Sequence, residues 1–254
     1  MIIDSHCHLY DEKLKEDLPR ILKEISEQNI FCVCCGADVK TSKECCVLAQ
    51  KNSNIFATVG YHPEYVCAFK VEDISRLETL AKEKKVVAIG EIGLDYHYEK
   101  ESINRQKEML ISQILLADKL GLPCVFHVRE AMGDFLEIIK KYQKYLKHSA
   151  VVHSFSGSVE VAKIILDFGF YLGINGIVTF KNAREILDVV KSVPMERILI
   201  ETDSPYLSPE PKRGKNNEPK FVEFVAKRVA EIKGLSVEEV IKKSAENTRK
   251  LFSF

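Results

Sequence analysis

The chain has 254 residues, 46% hydrophobic and 29% charged, with 37 basic side chains balancing 37 acidic ones. That is the composition of an ordinary globular protein. A formal net charge of zero argues against the basic surface needed to coat long stretches of duplex DNA. The length suits one α/β barrel, at about 250 residues, or two small domains.

Eight short apolar, β-branched runs are expected as strands, at residues 2–4, 30–35, 55–59, 86–89, 123–126, 150–152, 170–174 and 197–200. Longer stretches with helical periodicity separate them. In "RQKEMLISQILLADKLG" the apolar residues Leu110, Ile114, Ala117 and Leu120 recur at helical spacing, and Gly121 and Pro123 end the helix. Strands alternating with helices predict βα units in a parallel sheet. Eight of them predict a (β/α)8 TIM-type barrel, an α/β fold of one domain over residues 1–254; a doubly wound open sheet is the alternative. The least charged long stretch, 164–180, carries Asp167, three glycines and Asn175, so it reads as a helix end, a turn and a strand rather than a membrane span. From Lys220 onward two helices are expected, the second opening at Ser236 with Glu239 three residues on, a capping-box pattern.

Asp4 interrupts the N-terminal apolar run and no basic segment precedes it, so a secretory leader is not expected. The eight cysteines sit mostly within apolar runs such as "FCVCCGA", which suits reduced thiols in the cytoplasm. Cys32 and Cys35 have C-x-x-C spacing, but residues i and i+3 of a strand face opposite sides, so buried structural cysteines are expected.

The polar residues at the ends of these runs carry the functional signal. The first run leads to His6 and His8, two residues apart and therefore on one side of an extended chain. "IFATVGYHPE" leads to His62, "VVAIGEIGLDYH" to Glu91, "PCVFHVREA" to His127, "AVVHSFSGS" to His153 and "RILIETDSPYL" to Asp203. Five of the seven histidines lie at such ends, leaving His97 and His148 elsewhere, with no catalytic role expected. In a parallel barrel these ends open on one face, where active sites are built. Even four of these histidines with the two carboxylates exceed the needs of one tetrahedral zinc. They suit two divalent ions sharing a carboxylate, about 3.5–4 Å apart in two-metal sites. Mixed imidazole and carboxylate donors fit Zn, Mn, Ni, Fe or Mg.

With the motifs "DSHCHL", "GYHPE", "GEIGLDYH", "RQKEML", "FHVREA", "HSFSGS", "ETDSPYL" and "RGKNNEP", the chain resembles the TatD family of metal-dependent deoxyribonucleases, barrels of the amidohydrolase-like superfamily. The resemblance runs over essentially the whole chain. It implies a metal-dependent phosphodiesterase acting on DNA, often from a 3′ end, with metal ligands at His6, His8, Glu91, His127, His153 and Asp203. His62 is set apart as a substrate contact or a supporting group. The family loop commonly has a second arginine where this chain has Asn216.

On that reading Glu91 bridges the ions and Asp203 takes the proton of the attacking water, which makes these two the catalytic residues. Arg129 and Arg213 are candidate phosphate contacts, although an ion pair with Glu130 would equally account for Arg129 and a solvated loop for Arg213. Glu201 and Asp95 are expected to orient histidines. Tyr96 and Tyr206 are expected to pack, with base stacking the alternative. The expected partner is a DNA end or short nucleic acid; no protein partner or membrane is expected, and the chain is expected to be a monomer. An amidase, lactonase or deaminase acting on a small molecule remains a rival, Glu91 standing where cyclic-amide hydrolases of this kind often use a modified lysine. A barrel that binds metal or a partner without catalysis is a third reading.

Overall fold

The computed structural model describes residues 1–97 and 102–254. Its strands are β1 (Ile2–Cys7), β2 (Ile30–Cys35), β3 (Ile55–Val59), β4 (Val86–Asp95), β5 (Cys124–Arg129), β6 (Ala150–Val152), β7 (Tyr171–Ile174) and β8 (Ile198–Ile200). They follow one another in the order β1 to β8 in one sheet. Helices alternate with them: α1 (Leu18–Glu27), α2 (Val39–Lys51), α3 (Val71–Leu80), α4 (Ile103–Leu120), α5 (Met132–Lys141), α6 (Val159–Asp167) and α7 (Arg184–Ser192), with α8 (Val222–Lys233) and α9 (Val237–Phe252) closing the chain.

Contacts divide the chain into two units. The first comprises Met1–Cys34 and Ser154–Lys250, the second Cys35–His153 and Leu251–Phe254. In the first, β1 pairs with β2 and β7 with β8, both parallel. Ile3, Leu172 and Leu199 of its strands and Ile21, Ile25, Val189 and Val225 of its helices are buried. In the second, β3, β4, β5 and β6 pair successively, again parallel. Phe126 and Phe135, 5.0 Å apart between ring centroids, form its aromatic centre. Continuous apolar strands of this kind are what burial on both faces of a parallel sheet selects.

Local signals start and stop the helices. Asp38 caps α2 through a reciprocal box with Thr41, and Ser158 caps α6. Ser236 and Glu239 form the expected box at α9, each accepting from the other's backbone N–H. Gly121, at φ 70, ends α4 in the left-handed conformation that glycine adopts without a Cβ penalty.

Three strands run past their expected ends. β1 continues through His6, β4 through Glu91 to Asp95, and β5 through His127 to Arg129. Hydrophobicity marks the end of the apolar run, but pairing resumes past the polar residues, after irregularities between Asp4 and Cys7 and between Ile89 and Ile92. Gly93 permits this in β4. Its φ is 156°, and a Cβ there would lie 1.8 Å from the carbonyl oxygen of His127.

All eight cysteines lack disulfides, and seven are buried; Cys67 is exposed. Among the described residues no helix is long and apolar enough to cross a membrane.

A carboxylate-rich ion cluster fastens the segment before α8. Glu218 accepts from Arg20 at 2.8 and 3.1 Å, and Lys220 reaches Glu24 at 2.7 Å and Glu218 at 3.0 Å. The Lys220 bond holds the Glu24 carboxyl below its ordinary value. At Glu218 burial opposes ionisation, but the bonds from Arg20 and Lys220 outweigh it, so its carboxyl is lowered too.

Two tests follow from these features. Gly93→Ala is expected to lose about 3 kcal/mol or more of stability in urea unfolding, from the φ and the carbonyl clash together. Because the folded pKa values of Glu24 and Glu218 are lowered, their stabilisation is complete above 4.5 and is lost as pH falls through the folded values. Urea midpoints followed into acid should therefore fall more steeply for the natural protein than for Glu218→Gln.

Candidate metal centre

In the first unit, β1 and the segment after β8 register three donors. The N–H of Asp203 donates to the carbonyl of His6 at 2.9 Å, and that of His8 to Ser204 at 2.7 Å. Below them the fully buried Asp4 accepts from the N–H of Thr202 at 2.8 Å and from its hydroxyl at 2.5 Å. Burial pushes the Asp4 carboxyl up, against the bonds from Thr202. The Nε2 atoms of His6 and His8 lie 3.2 Å apart, at 3.8 and 3.4 Å from Oδ1 of Asp203. Asp203 holds φ 59, a strained conformation for a residue with a side chain, of the kind that persists where surrounding structure imposes it. His8 Nδ1 lies 3.1 Å from the Tyr10 hydroxyl. A proton on Nδ1 donated there leaves the Nε2 lone pair facing His6 and Asp203.

In the second unit the meeting point is Oε1 of Glu91, which is 3% exposed. The register of β4 against β5 shifts between Ile89 and Ile92, at Glu91; such an irregularity re-aims a side chain. Three imidazoles face that oxygen: His153 Nε2 at 2.7 Å, His127 Nδ1 at 3.0 Å and His62 Nε2 at 3.3 Å. His127 Nε2 meets Oδ2 of the buried Asp95 at 2.9 Å, while Oδ1 of Asp95 accepts from the N–H of His97 at 2.8 Å. This carboxylate–histidine arrangement fixes Nδ1 as the outward nitrogen. At His127 burial works against a positive charge, yet the bonds to Asp95 and Glu91 outweigh it and hold its pKa above the ordinary value. A bound cation would displace such a proton.

His62 behaves differently. Its Nδ1 accepts from the N–H of Glu64 at 3.2 Å, so the neutral ring carries its proton on Nε2 and donates toward Glu91. Burial lowers its pKa and keeps it neutral. Although His62, Glu91 and His127 lie close enough to share an ion, this tautomer makes His62 a donor to the carboxylate rather than a ligand.

Both donor groups fit a divalent cation. His6, His8 and Asp203 offer ligand atoms within 4.8 Å of one another, and the second group offers Glu91 with Nδ1 of His127 and Nε2 of His153. Imidazole with carboxylate is the donor chemistry of Zn, Mn, Fe or Ni.

The remaining expected contacts divide. Arg129 is exposed at the end of β5, two residues beyond His127 and thus on the same side of the strand. Glu130, at φ 53, turns to His97 Nδ1 at 2.6 Å. The Arg213 guanidinium lies over the Phe180 ring, 4.0 Å from its centroid, and donates to the Ser208 carbonyl. Asn216 donates to the Lys13 carbonyl at 2.9 Å. Tyr96 is tied to Asp134 at 2.6 Å. Tyr206, bonded to Asp11 at 2.7 Å, keeps 42% exposure beside His8. Glu201 accepts from the Ser154 N–H at 2.6 Å. Residues that sequence reasoning passed over include Asp4, Thr202 and Asn217. The fully buried Asn217 donates to the carbonyls of Thr202 and Tyr206 at 2.8 and 2.7 Å. Only its place in "NEP" singled it out.

Strand-end imidazoles and carboxylates on a parallel βα fold define the class of barrel metal-dependent hydrolases. A family model described as TatD related DNase matches residues 3–253. The metal-dependent hydrolase YabD of Bacillus subtilis (strain 168) is 38% identical over 253 residues, covering 99% of each chain. YcfH of Escherichia coli (strain K12), also named a metal-dependent hydrolase, is 38% identical over 256 residues, covering 99% of this chain and 95% of that one. The crystal structure of YjjV, a TatD homologue from Escherichia coli K12, superposes with a TM-score of 0.94 at 26% identity, covering 100% of this chain and 98% of the other. The chain therefore belongs to the TatD-related DNase family of metal-dependent hydrolases, and its fold is the (β/α)8 barrel; the open-sheet alternative falls.

Asp95→Asn leaves the shape of the site but weakens the hold on His127 Nε2. Competition with a chelator should read a loss of about 10–100-fold in metal affinity.

Proposed function

We propose that the protein is a deoxyribonuclease that hydrolyses phosphodiester bonds of DNA from a 3′ end, using two divalent ions and a metal-activated water. The observation that carries this reading is the pair of donor groups, His6–His8–Asp203 and Glu91–His127–His153, in a chain of the TatD-related family. Divalent cations held by such donors lower the pKa of bound water and neutralise charge gathering on phosphoryl oxygens.

The chain's own residues do the rest. Asp203, its side chain 13% exposed, accepts the proton of the attacking water at a carboxylate oxygen, and Glu91 would help His127 and His153 hold a cation. His62 keeps its Nε2 proton as a hydrogen-bond donor. Arg129, on the same side of β5 as His127, offers paired donors to a phosphate, and Arg213 adds a second cation from its loop. Zero net charge favours short contacts with a DNA end over long tracking along a duplex. Absent disulfides and seven buried cysteines favour a reducing compartment, and we place the protein in the cytoplasm as a monomer acting without a protein partner.

The test is release of nucleotides from 3′-labelled single-stranded and duplex DNA across a series of Mg, Mn, Zn, Ni and Fe(II). Chelator should abolish release and added metal restore it. Asp203→Asn should keep bound metal, measured by elemental analysis, while kcat falls at least ~100-fold. No release with any metal would remove the nuclease reading, and near-normal turnover in Asp203→Asn would remove the proton-accepting role.

A further inference from the structure

Helix α4 carries two fully buried glutamines that the proposed chemistry does not use. Each closes a two-bond ring with the backbone of a single residue. Gln106 Oε1 accepts from the N–H of Asp95 and Nε2 donates to its carbonyl, both at 2.8 Å. Gln113 Oε1 accepts from the N–H of Tyr61 at 2.7 Å and Nε2 donates to its carbonyl at 3.0 Å. The pattern is the paired exchange that an adjacent strand would offer. Seven residues of helix make about two turns, so the two amides share a face about 10.5 Å apart along the axis.

Both backbone positions lead directly to the candidate site. Asp95 presents Oδ2 to His127 Nε2 at 2.9 Å, which leaves His127 Nδ1 facing Glu91 Oε1 at 3.0 Å. Tyr61 precedes His62, whose own N–H is fixed to the Ala37 carbonyl at 2.8 Å and whose Nε2 faces the same oxygen at 3.3 Å. The two chains of contacts, begun on one helix face, end on one atom of Glu91.

We propose that Gln106 and Gln113 are positioning residues: by gripping the backbone at Asp95 and Tyr61 they hold the Asp95 carboxylate against His127 Nε2 and the His62 ring against the Glu64 N–H, and so set which ring nitrogen of each is turned to Glu91. An amide is the side chain that suits the task. It offers a donor and an acceptor side by side in one plane, whereas a carboxylate would set an oxygen against the backbone carbonyl. Satisfying buried backbone groups is a function in itself. The positioning role goes further, because it requires the ring tautomers to change when an amide is lost. Its catalytic consequence rests on the hydrolase reading above; its structural consequence does not.

The decisive measurement is long-range 1H–15N NMR of the histidine rings in metal-free protein, at alkaline pH where the imidazoles are neutral. In the natural sequence His127 and His62 should each show a single tautomer with the proton on Nε2. Gln106→Leu should convert His127 to a mixture and leave His62 alone; Gln113→Leu should do the reverse. Leu110→Ala, a destabilising change at a buried position of the same helix, should leave both rings as they were. With metal restored, hydrolysis of bis(p-nitrophenyl) phosphate by Gln106→Leu should fall about 10–100-fold in kcat with KM unchanged.

Should the leucine variant fail to fold, Gln106→Glu keeps the bond from the Asp95 N–H and loses only that to the carbonyl, and should still disturb the His127 ring. Unchanged tautomers in the glutamine variants, or the same disturbance in Leu110→Ala, would overturn the proposal. Neither spectrum needs metal or DNA. A protein that never cleaves DNA leaves this inference standing, and unaltered rings sink it without touching the nuclease.

Discussion

A carboxylate oxygen buried to 3% exposure and faced by three imidazole nitrogens within 3.3 Å is the constraint around which the second unit is arranged. An ionised carboxyl cannot be taken out of water without partners, and Glu91 receives them from three different strand ends. Its place depends on the irregular register of β4. Gly93 then lets that strand lie against the His127 carbonyl, and β5 stays paired far enough to bring His127 alongside. Each of these is a backbone arrangement made for one side-chain atom.

The first unit solves the same problem with different means. Its donors are registered by hydrogen bonds that extend β1 onto the segment following β8, and by the buried bonds between Asp4 and Thr202. The positive φ of Asp203 is held by the carbonyl of His6 on one side and by the N–H of Tyr206, bonded to its own carbonyl, on the other. Asn217 and the Arg20–Glu218 bonds hold the following loop in turn. Rigid backbone beneath the donors, rather than the donors alone, is what preorganises a site of this kind.

The eightfold alternation of strand and helix was legible in the sequence because apolar periodicity reports burial directly, and the caps at Ser236 and Gly121 fell where residue chemistry put them. The strand ends were not. β1, β4 and β5 were expected to stop at Asp4, Ile89 and Phe126, whereas the strands run on through His6, Glu91 and His127, with irregular pairing at the first two. Local rules fail where function begins. His62 was separated from the ligands by family resemblance alone. The physical reason, the Glu64 N–H on its Nδ1, lies in a turn whose geometry no spacing reveals. The role of Gln106, although it stands in "RQKEML", and of Gln113 was hidden for a related reason: they act on backbone atoms of residues 11 and 52 positions away, and a glutamine at helical spacing looks like any other polar residue.

Seven of the eight sulfur atoms are shut inside the molecule, while Cys67 stands in the open, on the stretch that follows the turn Pro63–Tyr65 capped by His62. Accessible thiols are the ones that alkylating reagents find. The natural chain thus comes with a ready-made address for a fluorophore five positions from a histidine of the site, and ligand occupancy there can be followed optically without altering a single residue.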